Sequence, residues 1–355
     1  PLAGAFSLEA EVTGTLHDPR GTYRMTGKDV RFRDQELTPL HLAGRIERRT
    51  LYLDRLTTGT GEGKIEGRGE IAFDGRDLAF HLLAPRIPVA ELTRFAAREI
   101  EASGLLSLEL HATGSVTAPL VSGRLRIEGL ELDEQTLGDS ELDLETAGDE
   151  GGRATPITIA GHLFDRAISL SGKLDLAARR YRVTGRIERA PISPARMRIE
   201  RFRGEMTIEG KLGDRGGRRI GVAFSELRLS ANRFRIENRG AIRLDMRGEV
   251  LSVAACELAF AEGDRAAGAL RVTGGIDLGG EIDLLLRGEI PVASLPLSSP
   301  DFRAGGGFIE VDALVAGERR RPHLAGSVRL RGVAFPIPGT RQRLHDLDGV
   351  IAFFS

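Results

Sequence analysis

The sequence predicts an all-β chain: an elongated, repetitive, mainly antiparallel curved sheet with at most one or two short helices. Three observations carry that expectation. Apolar and polar residues alternate with a period of two, 45 glycines in 355 residues punctuate the alternating runs, and several runs meet through short polar turns. Connections that short join only antiparallel neighbours, because a parallel crossover needs about a dozen residues.

Composition narrows the class further. With 41% hydrophobic and 28% charged residues the chain has a folding composition, and its length suffices for more than one compact domain. Aromatics are 5%, Trp is absent, and no stretch approaches the ~18 apolar residues of a spanning helix, which argues against a helical span or a lipid-facing barrel with aromatic girdles. Fifty basic against fifty-one acidic residues offer no global attraction for nucleic acid. The single Cys256 excludes an internal disulfide and a cysteine-based metal site. An opening at Pro1 and an ending on the apolar run 351–354 read as an excerpt of a longer chain.

Taken in order, the runs expose one apolar phase each. In GAFSLEAEVTG, from Gly4, the residues Phe6, Leu8 and Val12 share one side, and Ser7, Glu9 and Glu11 the other. The hairpins IAF-DGRD-LAF (71–80), KLDL-AARR-YRV (173–183) and GGIDL-GGE-IDLLL (274–286) follow from their polar turns. One segment, 88–103, carries helical spacing through Val89, Leu92, Phe95, Ala96 and Ile100, which predicts one short helix.

A repeat of about one hundred residues organises these runs. GAFSLEAEVTG returns as GLLSLELHATG at Gly104, GEMTIEGKLG at Gly204 and GFIEVDALVAG at Gly307. A second landmark follows in three units, placing Tyr23, Leu125 and Val328, and then Met25, Ile127 and Leu330, at equivalent points. The third unit departs there, so its turns should differ. Proline-marked crossovers close each unit. No flexible linker separates them, so the expected organisation is one continuous groove of repeats at 1–103, 104–203 and 204–306, with a partial fourth at 307–355.

The apolar phase then has two destinies. It closes on itself as a sandwich or solenoid core, or it lines a trough open along one side. Medium-sized aliphatics, few aromatics and recurrent strand glycines such as Gly69, Gly172 and Gly274, which permit bending, favour the trough. Its lining by strand phase is Phe6, Leu8, Val12, Tyr23, Met25, Ile71 and Phe73 in the first unit. In the second come Leu106, Leu108, Leu110, Leu125, Ile127, Ile168, Leu170, Leu174 and Leu176. Met206, Ile208, Leu270, Val272, Ile276 and Leu278 follow, then Ile309, Val311, Val328 and Leu330. A trough of aliphatic side chains suits acyl chains. Carrying a sixteen-carbon chain through water costs about 0.8 kcal/mol per methylene, on the order of 13 kcal/mol, whereas an aliphatic path exchanges one set of dispersion contacts for another.

The strings PHLAGSVRLRGVAFPIPGTRQRLHDLDGVIAF, GLLSLELHATGSVTAPLVSGRLRIEGLEL and RFRIENRGAIRLDMRGEVLSVAACELAF resemble the periplasmic region of the TamB proteins of the translocation and assembly module, within the AsmA-like family. The resemblance covers essentially the whole chain as a style of degenerate repeat. It departs at Asn238, Arg239, Gly240, Ala241 and Ile242, where relatives often have Asn-x-Gly-Pro-Ile. It implies a β-taco with a hydrophobic concave face in the periplasm of a diderm bacterium, anchored to the inner membrane by an N-terminal helix outside this sequence. The implied partners are phospholipid acyl chains and an outer-membrane barrel.

Catalytic and metal chemistry find no motif. The histidines (His17, His41, His81, His111, His162, His323, His345) are scattered without metal-ligand spacing, and no HExxH, GxSxG, Walker A loop or Rossmann fingerprint is present. The expectation is no enzyme, no cofactor and no metal. Acidic residues such as Asp346 and Asp348 occupy polar strand phases or turns. The arginine clusters 196/198/201/203, 215/218/219 and 319–321 have interleaved acids and read as solvated faces, and the aromatics that nucleic-acid binding would need beside them are few. Cys256 reads as an inert thiol on a strand. Three functions compete: a periplasm-spanning bridge segment carrying acyl chains between the membranes, a scaffold for outer-membrane barrel assembly with a TamA-like partner acting by strand addition, and an extracellular β-solenoid such as a polysaccharide lyase or adhesin.

Overall fold

The computed structural model describes residues 2–15, 17–32, 35–37, 39–60, 62–93, 101–132, 135–146, 156–190, 198–214, 216–295, 306–318, 321–336 and 343–353. It is all-β, and its strands pair antiparallel. The chain forms two units, Pro1–Val183 and Thr184–Ser355.

The first unit contains β1 (Leu2–Thr15), β2 (Asp18–Phe32), β3 (Gln35–Glu36), β4 (Leu40–Glu47), β5 (Thr50–Thr60), β6 (Gly63–Ala72) and β7 (Leu78–Pro88). A five-residue helix, α1 (Val89–Thr93), leads to β8 (Ala102–Ser115), β9 (Ala118–Leu132), β10 (Gln135–Thr146), β11 (Ile157–Leu163) and β12 (Ile168–Asp175). β13 spans Arg180–Ile187. Apart from the two-residue stub β3, which pairs β2, the ladder runs β1–β2–β4 and then through consecutive strands to β12. The helix expected over 88–103 is shorter at both ends. It starts at Val89, residues 94–100 lie outside the described residues, and Ala102 and Ser103 belong to β8, whose ladder with β9 outcompetes the helical spacing.

The second unit contains β14 (Arg198–Lys211), β15 (Arg219–Ala231), β16 (Phe234–Asn238), β17 (Ile242–Arg247), β18 (Val250–Glu262), β19 (Arg265–Asp277), β20 (Glu281–Pro291), β21 (Phe308–Glu318), β22 (His323–Pro336) and β23 (Arg343–Phe353). Here the departing third repeat shows its difference. β16 and β17 both pair β15 on one side and β18 on the other, so together they act as one strand broken at 239–241. Asn238 spans the break: its Oδ1 accepts from the Leu227 N–H at 2.6 Å, and its Nδ2 donates to the Ser225 and Gly240 carbonyls.

Equivalent hairpins keep one register. Leu8 opposes Met25 as Leu108 opposes Leu125, Gly14 opposes Pro19 as Gly114 opposes Pro119, and the ladder slips between Ala3 and Ala5 as between Ser103 and Leu105. A physical reason for the restarting glycine is visible at this slip. A Cβ on Gly4 would sit 2.8 Å from the Val30 Cα, one on Gly104 3.2 Å from the Leu130 Cα, and one on Gly307 2.6 Å from the Val333 Cα. Val30, Leu130 and Val333 are all buried, and each directly follows a residue of positive φ: Asp29, Gly129 and Gly332. The bulge turns an apolar side chain inward, and only glycine lets the facing strand close over it.

Buried residues gather in small clusters. In the first unit Val89, Leu130 and Leu137 pack with Ala102, Leu106, Ile127, Leu132 and Phe164. In the second, Ala231, Ile236 and Phe260 pack with Leu229, Leu258, Ala267, Leu270 and Ile290.

Candidate functional site: a half-exposed apolar face

Alternation places two chemistries on opposite sides of each ladder, and the register joins each side across strands. In the first unit one row runs Leu8, Met25, Leu42, Leu56, Gly67, Leu82, Leu110, Gly123, Leu144, Ile159, Gly172, each directly opposite the next. Ten interstrand steps at ~4.8 Å carry this apolar row over about 50 Å along the ladder. Parallel rows flank it, including Leu108, Leu125, Leu142, Gly161 and Leu170. In the second unit Met206, Val222, Leu244, Val253, Gly274, Leu284, Val315 and Leu324 form a row, and Leu258, Leu270, Gly288, Val311, Val328 and Ile351 another.

The residues singled out from strand phase fall on these faces, and their burial distinguishes a core from a surface. Ile168 alone among them is buried; the rest are half-buried or exposed, with Phe6 at 43%, Leu8 at 66% and Val12 at 56%. Two placements correct the strand-phase reading. Phe73, Leu176 and Leu278 lie one residue beyond the ends of β6, β12 and β19, in the turns, because the turn begins one residue earlier than alternation suggests. Ile168, packed at the β11–β12 turn, contributes to a closed end and not to an accessible surface.

Glycines stand in the apolar rows at points where a Cβ would meet the neighbouring strand. A Cβ on Gly69, Gly172 or Gly274 would lie 2.6, 2.6 and 2.0 Å from the carbonyl oxygens of Ala79, Arg182 and Asp283. These three occupy equivalent repeat positions, and a side chain at any of them would collide with the neighbouring backbone. Aromatic rings cover some of these gaps. The Phe80 ring approaches Gly69, and Tyr23 lies over Gly44 while its Oη donates to the Tyr52 carbonyl at 3.0 Å. Burial, and then the Asp54 carboxylate, push the Tyr23 pKa up. Cys256 faces the same apolar row as Val272 and Leu286, and burial raises its pKa.

The opposite side is a lattice of ions. Arg124 pairs Asp143 at 2.9 Å, Arg271 pairs Glu257 at 3.2 Å, Arg287 pairs Asp312 at 2.9 Å and Arg329 pairs Glu310 at 3.2 Å, each directly across a strand pair. Arg201 of the first arginine cluster holds Glu226 at 3.0 Å. Arg196, Arg215, Arg319 and Arg320 lie outside the described residues.

The same side brings together residues that are scattered along the sequence. His81 on β7 stands directly opposite His111 on β8, their rings stacked at 4.2 Å and 9°. Glu109 Oε1 lies 3.1 Å from His111 Nε2 and 3.5 Å from His81 Nε2. The hydrogen bond from His111 holds the Glu109 carboxyl below the usual carboxylate range. The available signal was the pairing of the 71–80 hairpin with the next repeat's first strand, which sets residue 81 against residue 111.

No known family, curated protein or solved structure matches the chain. The functional reading therefore rests on the two faces themselves. No described helix is long and apolar enough to cross a membrane.

Proposed function

We propose that this chain is a segment of a TamB-like bridge that carries phospholipid acyl chains along the apolar face of its sheet, in the periplasm of a diderm bacterium. The observation that carries the reading is the row from Leu8 to Gly172, continuous in strand pairing, whose side chains are half-buried or exposed and not sealed in a core. Its length of about 50 Å exceeds the ~15 Å depth of one bilayer leaflet, so a whole acyl chain fits against one unit. Leu, Ile and Val offer such a chain dispersion contacts like those of a bilayer, while the interspersed glycines keep the path free of bulky obstacles. Movement along it needs no catalytic residue, only a surface on which successive positions are nearly equal in energy.

The test is photo-crosslinking from position 108 in a bacterial envelope, with native mass spectrometry of the purified chain and a Leu108→Arg variant. A phospholipid adduct at 108, together with lipid flux lost in a folded Leu108→Arg protein, supports the conduit. Lipid-free protein without adducts at any inward position overturns it. Flux that survives Leu108→Arg but depends on a barrel partner points to the scaffold. A variant that unfolds outright points to a closed solenoid core.

A further inference from the structure

We propose that His81, His111 and Glu109 form a binding site for a divalent transition-metal ion on the polar side of the first unit, clipping β7 to β8. These strands belong to successive sequence repeats, so the clip would cross a repeat boundary. The three side chains offer ligand atoms that all lie within 4.8 Å of one another. The two distances to the shared carboxylate oxygen are 3.1 and 3.5 Å. A zinc ion 2.0–2.1 Å from each donor in a tetrahedral arrangement holds its ligand atoms about 3.3 Å apart, so small side-chain rotations suffice.

Further features point the same way. The histidines are a directly opposed cross-strand pair with stacked, nearly parallel rings, an arrangement the ladder itself imposes. His81 Nε2 is shut off from water and makes no hydrogen bond of ordinary geometry, while it faces the carboxylate. Glu109 precedes His111 by two residues, so both project from the same side of β8. Arg124, opposite Glu109 in the ladder, aims its guanidinium at Asp143 and Glu141, at 2.9 and 3.2 Å. His111 and Glu109 are exposed, which leaves a fourth position for water. Two imidazoles with one carboxylate suit zinc, copper or nickel and disfavour calcium or magnesium, which prefer all-oxygen shells. The site lies across the sheet from the apolar face and stands independently of the lipid reading.

The experiment is calorimetric titration of the chelator-treated 355-residue chain with zinc sulfate, repeated on His81→Ala, His111→Ala and Glu109→Gln. One equivalent is expected in the native chain, lost in both histidine variants and weakened at least about tenfold in Glu109→Gln. Circular dichroism confirms that each variant keeps its strand signal. X-ray absorption on the native zinc-loaded chain supplies a readout free of variants: two imidazole nitrogens and a carboxylate oxygen are expected. No binding, binding unchanged in the histidine variants, or an absorption spectrum without paired imidazoles overturns the site.

Discussion

Asn238 shows how much one side chain can carry where a ladder breaks. Its three hydrogen bonds tie β15 to the break at 239–241, where the Arg239 N–H still donates to the Glu257 carbonyl at 2.8 Å. Asn238→Ala leaves the Leu227 N–H without its partner, and a loss of about 1–3 kcal/mol is expected in urea unfolding, with the midpoint lowered and the slope unchanged. Cys256 makes a second prediction. Its raised pKa means that the neutral thiol is favoured in the folded state, so less thiolate exists at neutral pH than in an unfolded chain. Alkylation by iodoacetamide at about pH 7.5 should be slower in native than in urea-unfolded protein, and the native rate should climb only above the ordinary thiol range. Equal rates in the two states would refute this.

At the scale of the element, turns and strand pairs separate strong from weak effects. The β4–β5 turn uses Arg48 and Arg49, both at positive φ, where a two-residue hairpin ordinarily selects Asn-Gly. That choice hides the hairpin from a sequence reading, because the residues carry no turn signal. Replacing the pair with Asn-Gly should stabilise the first unit by about 1 kcal/mol, seen as a raised thermal midpoint. Gly274→Ala has the opposite sign: its Cβ would meet the Asp283 carbonyl at 2.0 Å, so the β19–β20 ladder must shift. The ion lattice behaves differently. Arg287 and Asp312 are each 62% exposed, and Arg287→Ala should change stability by less than about 1 kcal/mol. A larger loss would show that the lattice acts cooperatively.

For the molecule as a whole, the consequence of half-exposed apolar rows is a folded protein that binds apolar probes. Native protein should enhance the fluorescence of anilinonaphthalene sulfonate, and Leu108→Arg should reduce that signal without loss of strand circular dichroism; a dark native sample would contradict an accessible apolar face. The two faces were legible from residues 4–12 onward because alternation is local: each side chain's face follows from its neighbour's. The repeat was legible for the same reason, since Leu8 and Leu108 occupy the same local context. The departure of residues 102–103 from the helical segment was not, because Ala102 and Ser103 answer to β9, a partner about thirty residues away. Nor was the pairing of His81 with His111, which depends on how two repeats dock.

Periodicity and turn chemistry were enough to establish that the chain is antiparallel β, that its alternating strands have one apolar and one polar side, and that glycine restarts each unit. These depend on period and turn chemistry, which act over a few residues. Which residues stand opposite one another emerged from the folded sheet alone: the continuity of the row from Leu8 to Gly172, the collision that reserves Gly274 for glycine, the break that Asn238 spans, and the convergence of His81, Glu109 and His111. Register between strands is set by long-range pairing, where a slip of one residue would turn every side chain to the other face.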